Sequence, residues 1–185
     1  RVRIGETMEG SFFRDFKKAF FVLKASLSSK FASVLPGSIL AHFRHPANKA
    51  FGDQYYGPRA SNYDSERASQ PSWAAEYAIV ESFARAIPPT STVLDVPIGT
   101  GRFIPIYESL GFKITGLDAS EDMLRVSRAR DATESSKTVR FVEGDARKMP
   151  FEDDSFDLVV CFRFLQSIVS FSDAKLVLAE ISRVC

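Results

Sequence analysis

The sequence predicts an α/β protein: an open parallel sheet with flanking helices, preceded by a helical extension. Three observations predict it. Short apolar runs alternate with helical patterns from residue 92 onward, and a Gly- or Asp-bearing turn follows the runs. Hydrophobic residues make up 45% and charged residues 25% of the 185, a globular balance that excludes a disordered chain, a collagen-like repeat and a membrane bundle.

The elements follow in order. From Phe12 to Val34, apolar residues recur at 12, 13, 16, 20, 23, 27, 31 and 34 with lysines between them, the spacing of a basic amphipathic helix that Pro36-Gly37 ends. Its apolar face fits packing on the domain; its Lys/Phe combination also fits a peripheral membrane contact. No run reaches the roughly 18 to 20 apolar residues of a membrane span. The nearest, Ala19-Phe20-Phe21-Val22-Leu23, is flanked by Lys17, Lys18 and Lys24. A secretory signal starting at Met8 would carry Asp15 and Lys24 in the wrong places.

Residues 42 to 70 read as an irregular connection with one helical turn; His42 and His45 stand there three apart, without the further ligands that a metal site needs. Pro71 opens a helix with Trp73, Tyr77, Val80, Phe83 or Ala84, and Ile87 on one face, closed by Pro88-Pro89. Residues 92–96 form the first predicted strand, Gly99-Thr100-Gly101 a tight turn, and 102–110 a short helix ended by Gly111. A strand over 113–117 precedes a helix over 120–130 capped by Ser120. Strands over 139–142 and 156–161 and a helix over 173–184 complete the pattern.

The net charge of +1 gives no electrostatic reason to expect nucleic acid. Its distribution is uneven, with nine Lys/Arg against three Asp/Glu in residues 1–49 and fifteen against twenty thereafter, a basic front and an acidic body. Cys161 and Cys185 make neither a disulfide framework nor a metal-ligand spacing, which fits a reducing, cytoplasmic setting.

In an open parallel sheet the ligand binds beyond the carboxyl ends of the strands, so the residues just after each strand carry the chemistry. After the first come Asp95 and the Gly99/Gly101 turn, where the backbone turns sharply with no Cβ facing a ligand. The second ends in Asp118, placed to accept hydrogen bonds from two ribose hydroxyls; the third ends in Gly144-Asp145 and the fourth in Cys161-Phe162-Arg163. Acids at consecutive strand ends beside a Gly-rich turn point to an adenosine site. A dinucleotide fold wants a third glycine where this chain has Ile104, and Asp95 would repel a pyrophosphate but suits a cationic amino or sulfonium group.

Four ordered motifs then carry a resemblance: Val93-Leu94-Asp95-Val96-Pro97-Ile98-Gly99-Thr100-Gly101, Gly116-Leu117-Asp118-Ala119-Ser120-Glu121-Asp122-Met123-Leu124, Gly144-Asp145-Ala146, and the stretch from Met149 to Val160. From about Tyr63 onward the chain resembles the class I S-adenosylmethionine-dependent methyltransferases, in particular the type 11 methyltransferase domains of Rossmann-like fold. The resemblance implies two regions, a basic extension over 1–62 and a cofactor-binding domain over 63–185. It also implies S-adenosyl-L-methionine as cofactor and a small-molecule methyl acceptor. Asp95, Pro97, Gly99 and Gly101 would hold the methionine part, Asp118 the ribose, Ala119 and Met123 the adenine faces, and Asp145 with Ala146 the adenine edge. Phe162 and Arg163 would stand near the methyl group, and Tyr63 and Arg67 would cover the cofactor carboxylate. No general base is implied, since methyl transfer needs one only when the acceptor must lose a proton.

The chain departs from the family pattern twice. Pro97 stands where the motif has its first glycine, and the pattern stops at Cys185, before the family's last three strands. The expectation is therefore a fragment or a shortened form with the strand over 156–161 left as an open edge that invites self-association. A non-catalytic cofactor-binding scaffold and an NAD-dependent enzyme are the alternative readings.

Overall fold

Strands that run parallel cannot be joined by a tight turn and need a crossover, usually a helix; two of the three crossovers here carry one, and the third, over 144–157, is irregular. The computed structural model describes residues 55–131, 139–168 and 170–185 together with the backbone of 19–23. The strands are β1 (Ala19–Leu23), β2 (Thr92–Asp95), β3 (Lys113–Asp118), β4 (Val139–Glu143) and β5 (Leu158–Phe162). The helices are α1 (Pro58–Ser61), α2 (Pro71–Ala84), α3 (Ile104–Ser109), α4 (Glu121–Asp131) and α5 (Phe171–Val184), with a 3-10 turn over Leu165–Ser167. The sheet order is β1-β5-β2-β3-β4. β5, β2, β3 and β4 run parallel and β1 pairs antiparallel with β5.

The two faces of the sheet are sorted by the period of two along each strand. Leu94, Leu117, Val159 and Cys161 point to one core with Ala174, Val177, Ile181 and Val184 of α5. Val93, Ile114, Leu158, Val160 and Phe162 point to the other, with Val80 and Ala84 of α2 and with Phe103 and Tyr107. Both cores are closed, and each fully buried aliphatic side chain contributes about 1.5 to 3 kcal/mol.

Local signals set the ends. Ser120 accepts from the Met123 backbone N–H at 3.3 Å and starts α4; Ser170 does the same for Asp173 at 3.3 Å in α5. Pro58 and Pro71 stand in the first turns of α1 and α2, where a missing N–H costs nothing.

Two expectations are corrected. The helix predicted over 12–34 is a strand at Ala19–Leu23. Five consecutive apolar residues, most of them aromatic or β-branched, suit a strand better than an amphipathic helix, and the ladder of β5 supplies their hydrogen-bond partners. The rest of that stretch, with His42 and His45, lies outside the described residues. The same pairing covers the edge of β5, with Ala19 opposite Phe162 and Leu23 opposite Leu158, so that edge is not open to self-association.

The chain moves outward from β2 to β3 to β4 and then returns to the other side of β2 as β5. The reversal lies between β2 and β5, and the crevice beyond their carboxyl ends is where such a sheet binds its ligand.

Candidate functional site

The turn after β2 approaches the sheet because Gly116 lets it. A Cβ at Gly116 would stand 2.2 Å from Ile98 Cδ1 and 3.0 Å from Ile98 Cβ, so the buried Ile98 takes the space a side chain would occupy. The Ile98 N–H donates to the Leu117 carbonyl at 2.9 Å and fixes the turn over β3. Pro97 follows a cis peptide bond, and Gly99 and Gly101 have φ of 57° and 70°, in the left-handed region that favours glycine. In front of Gly99 the Cβ position is open, whereas at Gly101 it is filled by Ser127 and Ile104.

Asp118 is 7% exposed and completes this turn. Its Oδ2 accepts from the Gly99 N–H at 2.9 Å and its Oδ1 from the Ser120 N–H at 2.9 Å. Burial raises its carboxyl above the ordinary aspartate range, against the backbone N–H groups, which lower it. The carboxylate keeps acceptor capacity for a hydroxyl ligand. Ala119 is half-buried beside it and Met123 is buried at the start of α4.

Asp95 closes β2 and is 1% exposed. It accepts from the Tyr107 hydroxyl at 3.1 Å, and burial raises its carboxyl well above the ordinary range. The sequence placed Asp95 correctly at a strand end but gave no sign of Tyr107, twelve residues on in α3. Asp145 stands beyond β4, where Arg147 forks it through Nε and Nη2 at 2.9 and 2.6 Å and holds the carboxyl below its usual range. Ala146 is buried in the core with Leu117 and Met149. Phe162, at the end of β5, packs edge-on against Phe103 at 5.4 Å.

Tyr63 and Arg67 come as a stacked pair, with the guanidinium 3.8 Å from the ring centroid and donating to the Tyr63 carbonyl at 3.0 Å. The segment that carries them is tied to the turn through Asp64, which accepts from the Thr100 hydroxyl at 2.8 Å and pairs with Arg130. Its front is held by Ser120 Oγ, which donates to the Tyr55 carbonyl at 2.7 Å, and by the Gly57 N–H, which donates to Asp122 Oδ2 at 2.7 Å.

One cluster was not anticipated. The face of α2 that turns inward carries Glu76, Ile79, Val80 and Ala84; of the two residues expected for the last of these places, Ala84 takes it and Phe83 is 38% exposed. Glu76 is fully buried and receives two arginines. Arg102 donates Nη1 to its Oε2 at 3.0 Å, and Arg163 donates Nε and Nη2 to its Oε1 at 2.9 and 2.5 Å. Arg102 also stacks 3.4 Å above the Trp73 ring and donates to the Trp73 carbonyl at 2.8 Å. Burial pulls its guanidinium below the usual range and the Glu76 carboxylate acts against that. Arg163 sits at φ 57°, a strained conformation for a residue with a side chain. These partners lie 26 and 87 residues from Glu76, beyond the reach of any periodicity.

Comparison with known proteins agrees with this geometry. Residues 94–185 match the family of the methyltransferase domain. A demethylmenaquinone methyltransferase of Lactococcus lactis is 38% identical over 96 residues, 50% of this chain and 37% of that enzyme. Among solved structures, a Pyrococcus horikoshii protein is 30% identical with a TM-score of 0.54, over 73% of this chain and 57% of that one. A phosphoethanolamine N-methyltransferase of Haemonchus contortus shares the fold at 23% identity and a TM-score of 0.60, over 75% of this chain and 34% of that one. The sheet, the glycine turn and the family match define a class I methyltransferase fold. The chain belongs to the methyltransferase-domain family, and it spans well under half the length of the curated relative it matches.

Proposed function

We propose that this chain binds S-adenosyl-L-methionine at the β2–β5 crevice and transfers its methyl group to a small-molecule acceptor. The observation that carries the reading is the joining of two strand ends in one turn: Asp118 is fastened to Gly99, with open space where a Cβ would stand. That arrangement suits a ribose whose hydroxyls reach a buried carboxylate while the ligand backbone passes the glycine. Met123 and Ala119 supply apolar surface for the adenine, and Asp145 with the backbone at Ala146 supplies its polar edge. Asp95 and the Pro97–Gly101 turn face the methionine part, and Phe162 and Arg163 stand at the acceptor side. Tyr63 and Arg67 cover the carboxylate end.

When bound, the cofactor supplies an electrophilic methyl on a sulfonium. The protein's residues align the acceptor atom with that methyl and exclude water. The buried Asp118 fixes the ribose end, and edge-on packing against Phe103 holds Phe162 at the end of β5. The similarity to a demethylmenaquinone methyltransferase supports a quinol or phenol-like acceptor. A cytoplasmic setting belongs to the same reading and is supported by two free thiols, Cys161 and Cys185.

The test is transfer of a labelled methyl from S-adenosylmethionine to a panel of naphthoquinols and phenols, with S-adenosylhomocysteine quantified. Labelled product with matching S-adenosylhomocysteine is expected. Tight cofactor binding with no transfer to any member would favour a non-catalytic cofactor-binding module.

A further inference from the structure

Two guanidinium groups share one buried carboxylate beside the carboxyl ends of β2 and β5. Arg102 follows the glycine turn and Arg163 follows β5, so they approach Glu76 from the two strands between which the chain order reverses. Both arginines form their ion pairs with Glu76, and Arg163 Nη2 also donates to the Ser72 hydroxyl at 3.3 Å. Of the neighbouring acids, Asp64 acts on Arg102 through its field alone, and neither Asp64 nor Asp95 forms an ion pair with an arginine of the cluster. Asp64 is committed to Thr100 and Arg130, and Asp95 is bonded to Tyr107 and held toward its neutral form. Arg102 is 9% exposed, and its buried Nε has no hydrogen-bond partner. The side chain of Arg163 is 17% exposed, enough for contact with a ligand. Two guanidinium groups on one carboxylate, one of them partly exposed and on a strained residue at a strand end, are features that a bound anion explains.

We propose that Arg163, with Arg102 beside it, forms an anion subsite that selects an acceptor carrying an ionised oxygen, a carboxylate or a phenolate, on a small organic molecule. The inference rests on the methyltransferase reading and narrows its substrate class. Glu76 acts as the positioning residue, holding the two forks apart at fixed orientation while leaving one charge for the ligand. Charge-assisted hydrogen bonds to a planar fork are about twice as strong as neutral ones, which gives the subsite its selectivity.

The test titrates the chain, saturated with S-adenosylhomocysteine, with 1-hydroxy-2-naphthoate and with the uncharged 1-hydroxy-2-naphthamide. The naphthoate is expected to bind at least about tenfold tighter than the amide. Arg163→Met should remove that preference and Arg163→Lys should keep part of it. Affinity for S-adenosylhomocysteine should change less than about twofold in either variant, since the subsite serves the acceptor. Equal binding of the two probes, or no binding of the naphthoate, overturns the proposal. A drop in S-adenosylhomocysteine affinity that disappears for its decarboxylated analogue would also overturn it, because the arginines would then serve the cofactor carboxylate. If Arg163→Met fails to fold, the comparison of the two probes on the unaltered chain decides. Failure of the wild-type chain to bind S-adenosylhomocysteine at all would count against the methyltransferase reading itself, separately from the subsite.

Discussion

Replacing Glu76 by Gln tests whether the buried ion cluster holds α2 to the sheet. The carboxylate is fully buried and accepts three hydrogen bonds from the two guanidinium groups. Gln offers one acceptor oxygen and one donating NH2, so one arginine meets a donor instead of an acceptor. Arg102, 9% exposed and stacked on Trp73, has little water to turn to. A unit charge lost at about 4 Å in a medium of effective dielectric about 20 is worth about 4 kcal/mol, and measured losses on breaking a buried pair are about 3 to 5 kcal/mol. For a domain of this size each kcal/mol moves Tm by about 2 to 4 °C, so the midpoint should fall by roughly 6 to 20 °C. Urea titration with a thermal melt of both proteins gives the number. A loss below about 1 kcal/mol would refute the reasoning and would mean that water or a rearranged side chain compensates the guanidinium groups.

Other predictions follow from single contacts. Gly116→Ala places a Cβ against Ile98 Cβ as well as its flexible end, so the turn itself must move. The loss should be about 1 to 3 kcal/mol in urea titration, with weaker cofactor binding in the same protein. Asp95 is held above its ordinary pKa by burial, so its contribution to stability is full at low pH and is lost as pH rises through its folded pKa. Asp95→Asn keeps an acceptor for Tyr107 and removes that loss; its gain in Tm should be larger at about pH 8 than at about pH 5. An equal gain at both values would mean that Asp95 does not titrate in this way.

The elements from residue 71 onward were legible because their causes are local. Alternating apolar residues, a serine cap, prolines in first turns and glycines at turns each act within a few positions. The joining of Asp118 to the Gly99 turn was legible in outline, since strand ends of a parallel sheet converge. Three features were not. Ala19–Leu23 has its partner more than 130 residues away in β5, and the spacing of its apolar neighbours also satisfies a helix. The inward turn of Glu76 depends on Arg102 and Arg163; without them a glutamate reads as the outside of a helix. Asp145 reads as an open carboxylate until Arg147 is seen forking it from two residues on.

Equilibrium binding of S-adenosylmethionine decides whether the glycine turn and Asp118 form a cofactor site. The chain, shown by circular dichroism to melt cooperatively, is titrated with S-adenosylmethionine with and without excess NAD, and Asp118→Ala is titrated beside it. Saturable one-to-one binding, indifferent to NAD and weakened about 5- to 100-fold in the variant by loss of the ribose hydrogen bonds, is the predicted result. Binding that is absent from the folded chain, or unchanged by Asp118→Ala, would contradict it.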